Sequence, residues 1–142
     1  MALTGVHDLE GIALFADLTD AQIEHVEHSF EEHWFEPEER AQRQGLPSGG
    51  FFVILDGEAE RRVDGEPIVG TGPDGRHPRL RRGDSFGELS IFLDEPAQTD
   101  VVAVRPLHTM VLSPGHLVAF LHDYPQVMYR LLLGEARRLR NR

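Results

Sequence analysis

Residues 82–103 read RGDSFGELSIFLDEPAQTDVVA, and the reading of the whole chain starts from this stretch. Gly83-Asp84 marks a turn, Gly87 opens a short helix through Glu88-Leu89, and Val101-Val102-Ala103 is strand-forming. Gly87 has no Cβ, so an anion can approach its backbone closely, and the free N–H groups of the helix start face it. Upstream, Phe51-Phe52-Val53-Ile54-Leu55 is a second strand signal, closed by Asp56-Gly57. Between His33 and Thr109 the apolar runs stay short and are broken by Gly, Pro and Asp. Many short strands at close spacing predict a mainly β fold, a double-sheet jelly roll of about eight strands. The Gly/Pro-rich loop Val69–Pro78 is expected to be mobile.

Helices are predicted at both ends. Thr19-Asp20-Ala21-Gln22 has the form of a capping box, with Ile23, Val26 and Phe30 at helical spacing behind it, so a helix is read over about 20–29. A shorter helical turn is expected around 8–15. Ser113-Pro114 starts a further helix, and Pro125 ends it and begins another. Met128, Leu131, Leu132 and Leu139 form the apolar stripe of the last helix, read as core and in part as a homodimer seam. Arg137, Arg138, Arg140 and Arg142 gather at its C-terminal end, where positive charge suits the helix dipole.

The 142 residues fit one domain over 1–142: a helical lead-in (8–30), a β-roll (33–112) and C-terminal helices (114–140). No apolar run approaches the roughly 20 residues of a membrane span, and no signal peptide is readable at Met1–Val6. With no cysteine there is no disulfide framework or thiolate chemistry, and a cytoplasmic location is expected. The net charge of −10 is uneven: residues 1–60 hold 14 acids and 2 arginines, residues 61–142 hold 10 acids and 12 arginines. Direct DNA binding is not expected of so acidic a first half.

Taken together, Gly83-Asp84, Phe86-Gly87-Glu88-Leu89, Pro96 and the strand ending at Ala103 resemble the cyclic-nucleotide-binding domain family. Phe51–Glu58 matches that family's strand-turn-strand, and LFADLTDAQIEHV its opening. The resemblance covers about Leu9 to Arg140. It implies a regulatory β-roll with an N-terminal helix and two C-terminal helices, no enzymatic activity and no cofactor. The ligand it implies is cyclic AMP or another anionic small molecule, beside a protein partner and pairing of two chains along the final helix. It sets Phe86, Gly87, Glu88, Leu89, Ser90, Ala97, Gln98 and Thr99 around the ligand, with Glu88 anchoring the ribose 2′-hydroxyl. A DNA-reading module would need some 60–80 further residues, so a stand-alone sensor is expected.

At one point the pattern fails. Family members carry an arginine ten or eleven positions after the glycine to pair with the cyclic phosphate. Here those positions are Ala97 and Gln98, followed by the hydroxyl of Thr99. Charged hydrogen bonds contribute about 1.5–3 kcal/mol each, so losing a bidentate arginine weakens binding by at least about 100-fold.

Arg61 points the other way. After Gly57, Ala59 and Val63 mark the inward phase of a strand, which places Arg61 inward where the family usually has an aliphatic residue. It either closes an ion pair with Glu88, serves a different anionic ligand, or extends to the rim. His77 is read as facing the same cavity. Of the C-terminal arginines, Arg138 or Arg140 caps a ligand, meets an acidic partner or, as the commonest case, only solvates the helix end. His25, His28 and His33 are read as surface histidines rather than metal ligands, since no cupin-like His-x-His pattern accompanies them.

Overall fold

The computed structural model describes residues 9–68 and 79–140. The loop Val69–Pro78 and His77 therefore lie outside the described residues. A 3-10 turn at Ala13–Phe15 precedes α1 (Asp20–Ser29). The capping box forms as read: Gln22 N–H donates to Thr19 Oγ1 at 3.2 Å, and Thr19 N–H to Gln22 Oε1 at 3.0 Å.

Nine strands follow among the described residues, against about eight expected: β1 (Glu31–Phe35), β2 (Arg40–Gln42), β3 (Phe51–Asp56), β4 (Ala59–Val63), β5 (Glu66–Pro67), β6 (Arg79–Leu80), β7 (Ser85–Phe86), β8 (Asp100–Ala103) and β9 (Leu107–Leu112). Between β7 and β8 sits α2 (Glu88–Leu93), and α3 (Leu117–Asp123) and α4 (Pro125–Arg140) close the chain. The strands form two antiparallel sheets, ordered β1-β9-β3-β7 and β2-β8-β4-β5, with β6 added along β4. This is a jelly-roll-like β-roll flanked by an N-terminal helix and C-terminal helices.

The run Phe51–Leu55 is apolar throughout because β3 is covered on both faces. Phe52 and Ile54 join Phe86, Leu80, Val101 and Leu107 between the sheets. Phe51, Val53 and Leu55 point to the other side, against Val26, Phe30, Phe120 and Val127 of the helices. Gly57 turns β3 into β4 at φ 97°, where a Cβ would stand 2.1 Å from the Pro106 carbonyl oxygen.

The stripe of α4 is corrected by its burial. Val127 and Leu131 face the core, whereas Met128, Leu132 and Leu139 are 45%, 64% and 68% exposed. The register differs because α4 docks on the turn at 13–15, and a bidentate Arg130–Asp17 pair at 2.8 and 2.9 Å holds it there. Continuing the Val127–Leu131 face by helical spacing leads to Glu135 and Arg138, which brings charged groups to the β-roll. Among the described residues no helix is long and apolar enough to cross a membrane.

Candidate functional site

The turn into α2 is built by close backbone packing. Gly87 sits at φ 97°, and a Cβ there would lie 2.1 Å from the Gly50 carbonyl oxygen and 2.8 Å from Ser48 Oγ. Glycine is thus required by the fold as well as by any ligand. Ser48 Oγ donates to the Gly50 carbonyl at 2.7 Å. Ser90 Oγ accepts from Ser48 N–H at 3.1 Å and donates to the Glu95 carbonyl at 2.5 Å, so its hydroxyl is already engaged. Phe86 is fully buried and stacks on Phe52 with ring centres 4.7 Å apart, which makes it core. Leu89, on the first turn of α2, is about half exposed.

Glu88 is 1% exposed, and its charge partners come from α4. Arg138 Nη2 donates to Glu88 Oε1 at 3.4 Å and to Glu135 Oε1 at 2.5 Å. Burial, together with the facing Glu135 carboxyl, pushes Glu88 up to about 8. Burial works against Glu135 as well, yet the hydrogen bond with Glu88 and the charges of Arg138 and Arg61 hold it below the usual range. The two carboxyls therefore titrate as a coupled pair, with burial and mutual repulsion raising Glu88 and the neighbouring arginines favouring ionised Glu135. Glu88 Oε2 is buried without a hydrogen-bond partner among the described residues.

Arg61 lies inward, as its phase on β4 predicts, and lines a cleft of about 180 Å³ beneath α4. Its Nε is enclosed and has no hydrogen-bond partner among the described residues. The guanidinium that donates to Glu88 is that of Arg138 rather than Arg61, so the reading of Arg138 as a solvated helix end is overturned. The physical reason is register: Arg138 shares the buried face of α4 with Leu131, while Arg137 and Arg140 are exposed. Arg61 and Glu88 interact only through space.

The segment after α2 has no cation. Ala97 is buried, its N–H donating to the Leu46 carbonyl at 2.9 Å and its own carbonyl accepting from Gly45 N–H at 2.8 Å. Gln98 is exposed. Thr99 Oγ1 is buried without a described partner, while its carbonyl accepts from Gln42 Nε2 at 3.1 Å. Of the expected residues, the structure brings Arg61 and Glu88 into one electrostatic neighbourhood and adds Glu135 and Arg138, of which sequence reasoning missed Glu135. Its signal was present, four positions beyond Leu131 on the buried face. His25, in turn, meets the Tyr124 hydroxyl through Nδ1 and serves packing between α1 and α3.

A β-roll with a glycine-led helix beside a buried carboxylate, closed by a C-terminal helix, is the architecture that the comparisons share. The family profile described as the cyclic nucleotide-binding domain matches residues 32–124. The chain belongs to that family. It is 33% identical over 98 residues to a cAMP-dependent protein kinase regulatory subunit of Mycosarcoma maydis, covering 67% of this chain and 17% of the relative, so it spans under a fifth of that protein's length. Among solved structures it superposes on a cyclic nucleotide-binding domain of Methylobacillus flagellatus with a TM-score of 0.77 at 20% identity, covering 95% of this chain and 78% of the other. It also resembles the N-terminal domain of a transcriptional regulator from Streptomyces coelicolor A3(2), at 27% identity and a TM-score of 0.63 over 97% of this chain and 92% of that one.

Proposed function

We propose that this chain is a regulatory domain whose recognition of cyclic nucleotides is weakened, and altered toward other anions, by the absence of a phosphate cation. The observation that carries this reading is Ala97: an apolar, buried side chain on a backbone tied to Gly45 and Leu46, at one of the two positions, with exposed Gln98 the other, where the resemblance sets the family's arginine. Glu88 keeps its place in the turn, but burial and Glu135 disfavour its ionised form and Arg138 donates to its Oε1. A ribose hydroxyl that reaches Glu88 Oε1 competes there with Arg138. Ligand binding would then reposition α4 and whatever α4 touches, to the extent that the ligand prefers one position of the helix.

Thermal-shift titrations with cyclic AMP, cyclic GMP and cyclic dinucleotides test this. The expected result is stabilisation only well above micromolar ligand, abolished by Glu88→Ala. No shift with any of them overturns the sensor reading. It would favour a protein-contact module, a second reading supported by the exposed Met128, Tyr129, Leu132 and Leu139 along α4.

A further inference from the structure

Among the described residues four arginines reach the cleft beneath α4: Arg61 from β4 and Arg130, Arg137 and Arg138 from α4. Two carboxylates, Asp84 and Glu135, line it with them. Arg130 is engaged by Asp17, leaving three guanidinium groups against two acids. Arg138 is shared between Glu135 and Glu88. Arg61 stands apart: its Nε is enclosed without an acceptor, and no ion pair is formed by its guanidinium among the described residues. An uncompensated buried cation is costly, and the cost falls when an anion binds beside it. Burial, and next to it the repulsion of Arg138, holds Arg61 below its ordinary pKa, against the pull of Glu88, Glu135 and Asp84.

We propose that this cleft binds a small, multiply charged oxyanion of the phosphate class, held by Arg61 on its floor and by Arg138 from α4. The guanidinium fork matches the oxygens of a phosphate two at a time. At about 180 Å³ the cleft is smaller than the roughly 300–1,000 Å³ of pockets for drug-sized ligands, which limits the occupant to inorganic phosphate or a short phosphate ester. Since one arginine comes from α4, occupancy draws Arg138 away from Glu88 and couples the anion to the helix. The inference goes beyond the cyclic-nucleotide reading, because it requires neither a ribose nor the Phe86–Ser90 turn.

The test is a thermal-shift titration with inorganic phosphate and, separately, glycerol phosphate, against sodium chloride of equal ionic strength. Wild type, Arg61→Gln, Arg138→Gln and, as a control on an exposed side chain, Arg105→Gln are compared. Phosphate is expected to stabilise the wild type and Arg105→Gln alike, with apparent affinity at least about 10-fold weaker in Arg61→Gln and Arg138→Gln. A stronger response to glycerol phosphate assigns the site to an organic ester, and an equal or weaker one to the free ion. No response in the wild type, or a wild-type response in either cleft variant, overturns the assignment. Glu88→Ala does not enter this comparison, so its failure is distinguishable from failure of the cyclic-nucleotide reading.

Discussion

At the scale of single residues, Glu88 holds a proton to about pH 8 because burial disfavours its carboxylate and Glu135 faces it. The unfolded chain releases that proton near the usual 4.5. Between those values the unfolded state is ionised and the folded state is not, so the stability associated with protonated Glu88 is present below about 4.5 and is lost as pH rises to about 8. Glu88→Gln keeps the shape and removes the titration. Urea midpoints measured at about pH 5 and about pH 9 should fall with pH by more in the wild type than in this variant. An equal fall in both would show that Glu88 titrates normally. Glu88 itself is legible in the sequence from its place behind Gly87, but its partners are not: a carboxylate and an arginine on the last helix resemble ordinary surface charge until the helix register is known.

At the scale of elements, the turn into α2 depends on the missing Cβ of Gly87. Any side chain there meets the Gly50 carbonyl oxygen at 2.1 Å in a backbone conformation that side chains resist. Gly87→Ala is expected to cost at least about 2 kcal/mol by urea denaturation. Gly49→Ala, with no atom within 4 Å of its added Cβ, is expected to be near neutral. Equal losses in the two variants would contradict the packing account. Elements with strong local signals were readable: α1 from its capping box, β3 from a run of five apolar residues, and the α3–α4 break from Pro125. The two-residue strands β6 and β7 were not, since each is defined only by hydrogen bonds to a strand far away in sequence, whereas β5 is the short return of a hairpin whose Asp64-Gly65 turn was readable. The face of α4 was misassigned because Leu132 and Leu139 are as apolar as Leu131, and only docking on the 13–15 turn selects among them.

At the scale of the whole molecule, the acidic first half and arginine-rich second half meet in three dimensions. Arg62 reaches Glu38 at 3.1 Å, Arg79 and Arg81 reach Glu58 at 3.0 and 3.2 Å, and Arg130 reaches Asp17 at 2.8 Å. Exposed pairs of this kind stabilise little individually. They leave Arg61 and Arg138 as the cations turned toward the interior, while the segment after α2 carries none. The roll was therefore legible from strand and turn chemistry, and the resemblance set Ala97 and Gln98, neither of them a cation, where the family has its arginine. The placing of Arg61 on the cleft was legible through its period-two phase on β4, whereas that of Arg138 was not. Isothermal titration with cyclic AMP on the wild type, Ala97→Arg and Gln98→Arg tests the central claim most directly. Weak wild-type binding, tightened by at least about 10-fold in one of the arginine variants, is the result predicted. Nanomolar binding by the wild type, or no gain from either arginine, would contradict it.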